Sequence, residues 1–333
     1  MYHVIYIEYA ARDYPLTKII LGSNPDTPIV FVRHYKDVFN RPHQNQLWQR
    51  NHPFLILAVK EPPFLYEGPK ICQNFGSLAF FYTSFLLNCP FDCKYCYLQG
   101  MYPSSGQVAF VNTDDFLSAI ATLSQSLTAE TSQMNAISLA ASYDTDLLAF
   151  ENADFYIDKL DEVAATHAEI RIEIRTKSAK TDFFRTHMPR ENMIYAFSLA
   201  PDAIIRKNEN RTPSLAARMR AIQTAMDYGF PIRLCFDPVF IGPAYDCLYE
   251  SFYKEVFSNL DSSKITDVSH GFFRMNETFF RRIARVRQDT NIYSDDYTRQ
   301  NGIVTYSDIC QENTRREHMR ILEQFIPKEK IFI

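Results

Sequence analysis

The sequence predicts an α/β fold: a partial (β/α)6 barrel with an N-terminal β-containing extension and a C-terminal cap. Three observations predict it. Over residues 78–275, apolar strand-like runs alternate with helical stretches, the pattern of parallel β/α units. Three of the seven cysteines fall within eight residues, directly after the first of those strands. The chain has 333 residues and is 46% hydrophobic, enough to bury a large core and too apolar for global disorder. A doubly wound sheet is the competing arrangement of the same alternation.

The elements follow in order. Residues 1–76 are irregular in period, broken by Pro25-Asp26-Thr27-Pro28 and by the polar run 41–52. Two or three strands are expected there, one over 53–60, before Pro62-Pro63 stops the chain. Barrel strands are predicted at 79–87, 135–142, 169–176, 193–200, 231–238 and 266–273. Helices are predicted at 113–126, 152–166, 179–188, 213–228 and 246–259. The fourth helix has the clearest ends: Thr212 as N-cap, Pro213 at the first helical position and Gly229 just past the last turn. The tail reads as a helix over 277–288, a hairpin or loop over 291–305 and a helix over 311–325. Domain boundaries are placed at 1–76 for the extension, 77–275 for the barrel and 276–333 for the cap.

Composition excludes several classes. The longest apolar run, 78–87, is half the length of a membrane span, and the N-terminus lacks a signal-peptide pattern. A cytoplasmic location with no membrane partner is expected. An odd number of cysteines in such a chain argues against a disulfide framework. A net charge of −4 makes no global case for nucleic acid, so such a case must rest on a local patch.

Cys89, Cys93 and Cys96 have the spacing C-x3-C-x2-C on the loop after the first barrel strand, the end at which parallel β/α folds place their chemistry. Thiolates are soft ligands for iron–sulfur clusters or zinc. Structural zinc asks for four ligands, usually in paired knuckles. No second pair exists, and the nearest other cysteine, Cys72, is 17 positions upstream. Three thiolates on a 4Fe–4S cluster leave one iron open to a cofactor.

The spacing and its place resemble those of the radical S-adenosylmethionine (SAM) enzymes. Cys93-Lys94-Tyr95-Cys96-Tyr97-Leu98-Gln99 is more narrowly similar to the C-x-Y-C-Y-L-Q signature of the spore photoproduct lyase family. Other segments resemble that family in the same order: 111–115, 142–146, 175–177, 197–199 and 238–240. The similarity spans the chain and is weakest over 1–76 and 290–310.

The resemblance implies an enzyme whose 4Fe–4S cluster, fed by an external one-electron reductant, cleaves SAM to a 5′-deoxyadenosyl radical that abstracts hydrogen from substrate. The lead substrate is a thymine dimer in DNA, and the activity is lyase-like DNA repair at a carbon–carbon bond. It implies that Cys89, Cys93 and Cys96 hold the cluster. Tyr95, through its backbone, would meet the adenine, and Ser142, Thr145, Lys177 and Ser198 would lie at the SAM site. Tyr97 matches a tyrosine that relays a hydrogen atom. A solvated lysine, an ordinary strand serine and a packed aromatic are the competing readings of Lys177, Ser198 and Tyr97.

Two departures touch substrate handling. Where the family carries a hydrogen-donating cysteine, an ungapped alignment places Tyr143. Where it carries an Arg-Tyr-Gly turn, this chain reads Arg299-Gln300-Asn301-Gly302-Ile303. Cys235 is a candidate replacement thiol. It shares one face of its strand with Arg233 and Asp237, opposite Ile232, Leu234 and Phe236. A buried, inert cysteine beside an Arg–Asp pair is the competing reading.

Arg274, Arg281, Arg282, Arg285 and Arg287 make the one basic stretch that could meet DNA phosphates. A solvated or acid-paired surface helix is its alternative. A same-family enzyme acting on a non-DNA substrate, and a non-enzymatic iron–sulfur or nucleic-acid binding protein, complete the set of functions.

Overall fold

A computed structural model describes residues 2–69, 71–128 and 137–333. The chain divides into two compact units, one of residues 1–90 and 101–175, the other of residues 91–100 and 176–333.

The first unit holds two sheets. One is five-stranded, in the order Ile29–Val32, Val4–Glu8, Phe54–Ala58, Gln107–Phe110, Leu86–Leu87. Its central strand, Phe54–Ala58, is buried along its whole length, as a parallel strand covered on both faces must be. Residues 1–76 thus hold four strands rather than two or three, together with a helix Pro15–Ser23. The other strands are short and lack the periodicity that would announce them. The second sheet of this unit runs from the antiparallel edge Leu65–Glu67 through β1 (Ala79–Thr83) and β2 (Ile137–Ala140) to β3 (Ile170–Thr176), the last three parallel. The predicted positions 135 and 136 lie outside the described residues. Helices α1 (Thr113–Thr128) and α2 (Ala153–Thr166) follow β1 and β2. Phe85 stacks on Phe116 at 4.6 Å, and the Tyr156 hydroxyl of α2 donates to the Phe110 carbonyl at 2.9 Å. The aromatic load of the sequence is spent in such clusters.

The second unit continues the alternation with β4 (Met193–Ser198), β5 (Ile232–Val239) and β6 (Ile265–Phe272), parallel and in that order, with the short strand Ile331–Phe332 beside β6. Its helices include α3 (Asp182–Thr186), α4 (Leu215–Asp227), α5 (Asp246–Asn259), α6 (Glu277–Val286) and α7 (Asp308–Leu322). Ser214, not Thr212, caps α4, its hydroxyl accepting from the Ala217 amide at 3.3 Å. Pro213 precedes the cap, and Gly229 ends the helix at φ +80° as expected. On β5, Phe236 packs edge-on against Phe252 and Tyr253 of α5, so the apolar face of that strand meets the helices. Its polar partners are not each other: Arg233 pairs with Asp267 of β6, and Asp237 with Arg274 at 3.1 Å. The hairpin Thr298–Gln300 and Ile303–Thr305 turns on Asn301 and Gly302, both at positive φ, a pairing that suits this dipeptide. No helix among the described residues is long and apolar enough to cross a membrane.

Candidate active site

The cysteine loop of the second unit is built by backbone first. Asp92–Cys93 forms a two-residue strand antiparallel to Glu209–Asn210, and the Lys94 amide donates to the Asn208 carbonyl at 2.7 Å. The chain then turns tightly: the Cys96 amide donates to the Cys93 carbonyl at 3.0 Å, and the Gln99 amide to the Cys96 carbonyl at 3.2 Å. The Gln99 side-chain amide closes the turn on the Cys93 carbonyl. Cys93 is buried; Cys96, and Cys89 just before the loop, are half-buried, and none of the described cysteines is in a disulfide.

Behind the loop lies an ionic network that the sequence did not announce. Glu209 is buried and accepts from the Tyr95 hydroxyl and the Arg218 guanidinium. Lys177 Nζ sits 3.8 Å from the same carboxylate and 5.8 Å over the Tyr95 ring. Burial pushes the Glu209 carboxyl up, but the cations Lys177 and Arg218 outweigh it and hold the group below the usual glutamate range. Burial, then Glu209, push the Tyr95 hydroxyl up. Arg218 also donates to the Ser198 carbonyl at 3.0 Å. Three predicted positions, Tyr95, Lys177 and Ser198, are therefore linked through Glu209 and Arg218. Neither acid nor arginine carries a motif; a buried cation in mid-helix and an acid in a short strand have no sequence period.

Ser198 pairs with Cys235 across the sheet, and Cys235 is fully buried. Tyr97 is half-buried.

In the first unit, the loop after β2 carries Ser142 to Asp146. Ser142 Oγ donates to the Arg175 carbonyl at 3.0 Å and accepts from the Arg175 amide at 2.6 Å, tying the loop to β3. Asp144 accepts from the Ser84 hydroxyl, and burial pushes its carboxyl up. Asp146 caps a short helical turn by accepting from the Ala149 amide at 3.1 Å. Thr145 Oγ1 is buried with no hydrogen-bond partner among the described residues. Such an orphaned hydroxyl is costly unless a ligand or water completes it. The Tyr143 ring stacks on Tyr82 at 4.2 Å, and its hydroxyl lies 3.8 Å from the Cys72 thiol. Burial, then Cys72, push the Tyr143 hydroxyl up. Nothing in the sequence pattern ties Cys72 to this loop, because its partner is 71 positions away.

Among the described residues, no three His, Cys, Asp or Glu side chains converge as they would on a single metal ion. A 4Fe–4S cube asks for a different arrangement, since each thiolate takes its own iron corner and the sulfurs stay apart. Three cysteines outside any disulfide at C-x3-C-x2-C, two of them on a hydrogen-bonded turn, suit that donor set. The orphaned Thr145 hydroxyl suits a polar cofactor at the loop after β2.

An alternating strand–helix chain with three thiols after its first barrel strand is the design of a radical SAM enzyme. A family model for spore photoproduct lyase matches residues 1–330, so the chain belongs to the spore photoproduct lyase family, radical SAM enzymes that work with a 4Fe–4S cluster and SAM. It is 22% identical over 271 residues to the spore photoproduct lyase of Bacillus subtilis (strain 168), covering 80% of this chain and 75% of that one. A structure of spore photoproduct lyase complexed with dinucleoside spore photoproduct superposes with a TM-score of 0.83 at 18% identity. A double mutant of that enzyme with bound AdoMet and dinucleoside spore photoproduct gives 0.81 at 19%. Both matches cover 100% of this chain and 98% of the other. The expected radical SAM partial-barrel fold class is borne out.

The arginine stretch divides by burial. Arg274 pairs with Asp237, and Arg287 is 5% exposed and paired with Asp92. Arg281, Arg282 and Arg285 are exposed on α6. Arg281 meets Glu277 at 2.6 Å, and Arg282 donates to the Gly100 carbonyl at 3.0 Å.

Proposed function

We propose that the chain returns a thymine dimer of the spore photoproduct type in DNA to two thymines. The observation that carries this reading is the family match over 1–330 together with a C-x3-C-x2-C loop held in a hydrogen-bonded turn. The cluster and SAM, when bound, supply the 5′-deoxyadenosyl radical. Cys89, Cys93 and Cys96 hold the cluster. The Tyr95 backbone, Ser142, Thr145, Lys177 and Ser198 surround SAM; the partnerless Thr145 hydroxyl is the group best placed for a new hydrogen bond. Lys177, already drawn to Glu209, contributes charge more than a free donor.

Tyr97 relays a hydrogen atom, and Tyr143 stands in for the family's donor cysteine. Its O–H gives a hydrogen atom to the product carbon radical, forming the C–H bond. The Cys72 S–H, 3.8 Å away, then restores the tyrosyl oxygen. A small-molecule thiol returns hydrogen to Cys72, and two of the resulting thiyl radicals combine to a disulfide. Cys235, fully buried between β4 and β6, is the competing donor. DNA phosphates meet Arg281, Arg282 and Arg285, the exposed members of the basic stretch; Arg274 and Arg287 are already committed to acids. An external reductant supplies the electron in the cytoplasm.

The test is anaerobic reconstitution with iron and sulfide, followed by incubation with SAM, dithionite and dinucleoside spore photoproduct. Restored thymidylyl-thymidine together with 5′-deoxyadenosine is expected. 5′-Deoxyadenosine without thymine product would favour the second reading, a same-family enzyme with a non-DNA substrate. Two observations keep that reading in play: Tyr143 at the donor place, and a hairpin tip of Asn301-Gly302 with no aromatic.

A further inference from the structure

Arg287 belongs to the basic stretch by sequence, but its surroundings are those of a built internal site. Its Nε donates to Gln99 Oε1 at 2.9 Å, and its Nη2 pairs with Asp92. Asp92 immediately precedes Cys93, and Gln99 lies three positions after Cys96, its own side-chain amide held on the Cys93 carbonyl. One planar guanidinium therefore grips the cysteine turn at both ends. Neighbouring groups reinforce the grip. Asp289 pairs with Lys94 at 3.1 Å and stands 3.7 Å from Arg287 Nη1. The Tyr293 hydroxyl donates to the Lys94 carbonyl at 2.8 Å. Arg287, Asp289 and Tyr293 all lie in the segment just after α6, and all bear on residues 92–100. A bidentate, buried fork of this kind fixes geometry far better than an exposed ion pair does.

We propose that Arg287 is the positioning residue of the iron–sulfur loop: it sets the Cys93–Cys96 turn before any cluster arrives, and its compensated charge keeps the bound cluster reducible. The proposal rests on the reading of this loop as the cluster's ligand set. The first role follows from the hydrogen bonds, which need no metal. The second follows from sign. A reduced cluster is more negative than an oxidised one, so a nearby cation favours reduction and a nearby anion opposes it. Removing Arg287 takes away the cation and leaves the Asp92 carboxylate uncompensated beside Cys93. Both changes drive the potential more negative.

Three measurements test it. Hydrogen exchange of residues 92–100 is followed in the metal-free protein. Iron per chain is counted after reconstitution, and the midpoint potential is read by EPR-monitored titration. In Arg287→Gln, exchange over 92–100 is expected to quicken about tenfold, iron uptake to fall, and the midpoint of the loaded fraction to move negative. Arg287→Lys is expected to recover the potential but not the exchange protection, because lysine has the charge without the fork. Asp92→Asn keeps an acceptor while removing the anion, so its midpoint should move positive. Wild-type exchange or a wild-type midpoint in Arg287→Gln overturns the proposal. If that variant does not fold, an Asp92→Asn midpoint that is unchanged or more negative overturns it. Failure of the unmodified protein to take up iron strikes the cluster reading instead, and the metal-free exchange comparison still decides the clamp.

Discussion

The Cys72 thiol lies 3.8 Å from the Tyr143 hydroxyl, on a ring that stacks against Tyr82. On the proposed reading Tyr143 is the hydrogen donor, and Cys72 is the thiol in reach to restore it. Tyr143→Phe and Cys72→Ala should each lower thymine recovered per SAM cleaved by roughly tenfold, about 1.4 kcal/mol of barrier, while SAM cleavage itself persists. Cys235→Ala should leave that ratio unchanged. Chromatographic counting of thymidylyl-thymidine against 5′-deoxyadenosine measures all three. A drop confined to Cys235→Ala would transfer the donor role to β5.

Glu209 carries the network behind the cysteine loop, and its removal has two consequences. In Glu209→Gln, Arg218 and Lys177 lose their shared carboxylate and Arg218 is left buried without its counter-charge. Breaking a buried pair from one side costs about 3–5 kcal/mol. Chemical denaturation of the metal-free protein should show a loss of that order. Because the folded-state carboxyl is held below its ordinary 4.5, the stabilisation is present above that pH and is lost as pH falls through the folded value. Glu209→Gln should therefore flatten the acid limb of the stability profile.

Gly100 tests how closely α6 approaches the loop. A Cβ there would come 2.6 Å from the Phe279 backbone, which cannot swing aside as a side-chain tip could. Gly100→Ala should destabilise the protein by about 1–3 kcal/mol and weaken iron uptake. Gly22, with nothing within 4 Å of its would-be Cβ and set in the helix Pro15–Ser23, is the control. Gly22→Ala should raise stability by about 0.5–1 kcal/mol. Melting curves of the two variants should move in opposite directions.

What could be read in the sequence had short-range causes. The barrel strands are compact apolar runs bounded by turns, and five of them fall on their predicted spans to within about two residues; the span 79–87 instead splits, Ala79–Thr83 joining the barrel and Leu86–Leu87 the five-stranded sheet. The cysteine loop announces itself by spacing alone. The contacts that escaped are long-range and polar: Arg233 finds Asp267 rather than Asp237, and Tyr143 finds Cys72. Alternation along a strand says which side chains share a face but not which neighbouring strand supplies the partner. Nor can a run of arginines distinguish Arg285, which is exposed, from Arg287, which is buried two positions later. Only the packing of α6 separates them.

A buried pair of histidines should make the protein acid-sensitive. His270 Nε2 and His318 Nδ1 are 2.9 Å apart, and the Tyr253 hydroxyl is 2.9 Å from the same His318 nitrogen. One imidazole must accept while the other donates, an arrangement two neutral rings make; His270 Nδ1 is buried with no partner among the described residues. Burial, then the facing His318, push His270 down to about 3, and burial pushes His318 down to about 4. Asp237 draws His270 the other way, and Arg315 adds to the depression, but neither reverses it. In the unfolded chain both rings titrate near 6.5. Between that value and the folded ones the unfolded state binds more protons, so stability rises with pH across this window and falls as the solution is acidified below about 6.5. Melting temperature should drop steadily from pH 7 to pH 5, and His270→Gln should shrink that slope even where it lowers stability at pH 7. A variant whose slope matched the parent's would place the acid sensitivity elsewhere.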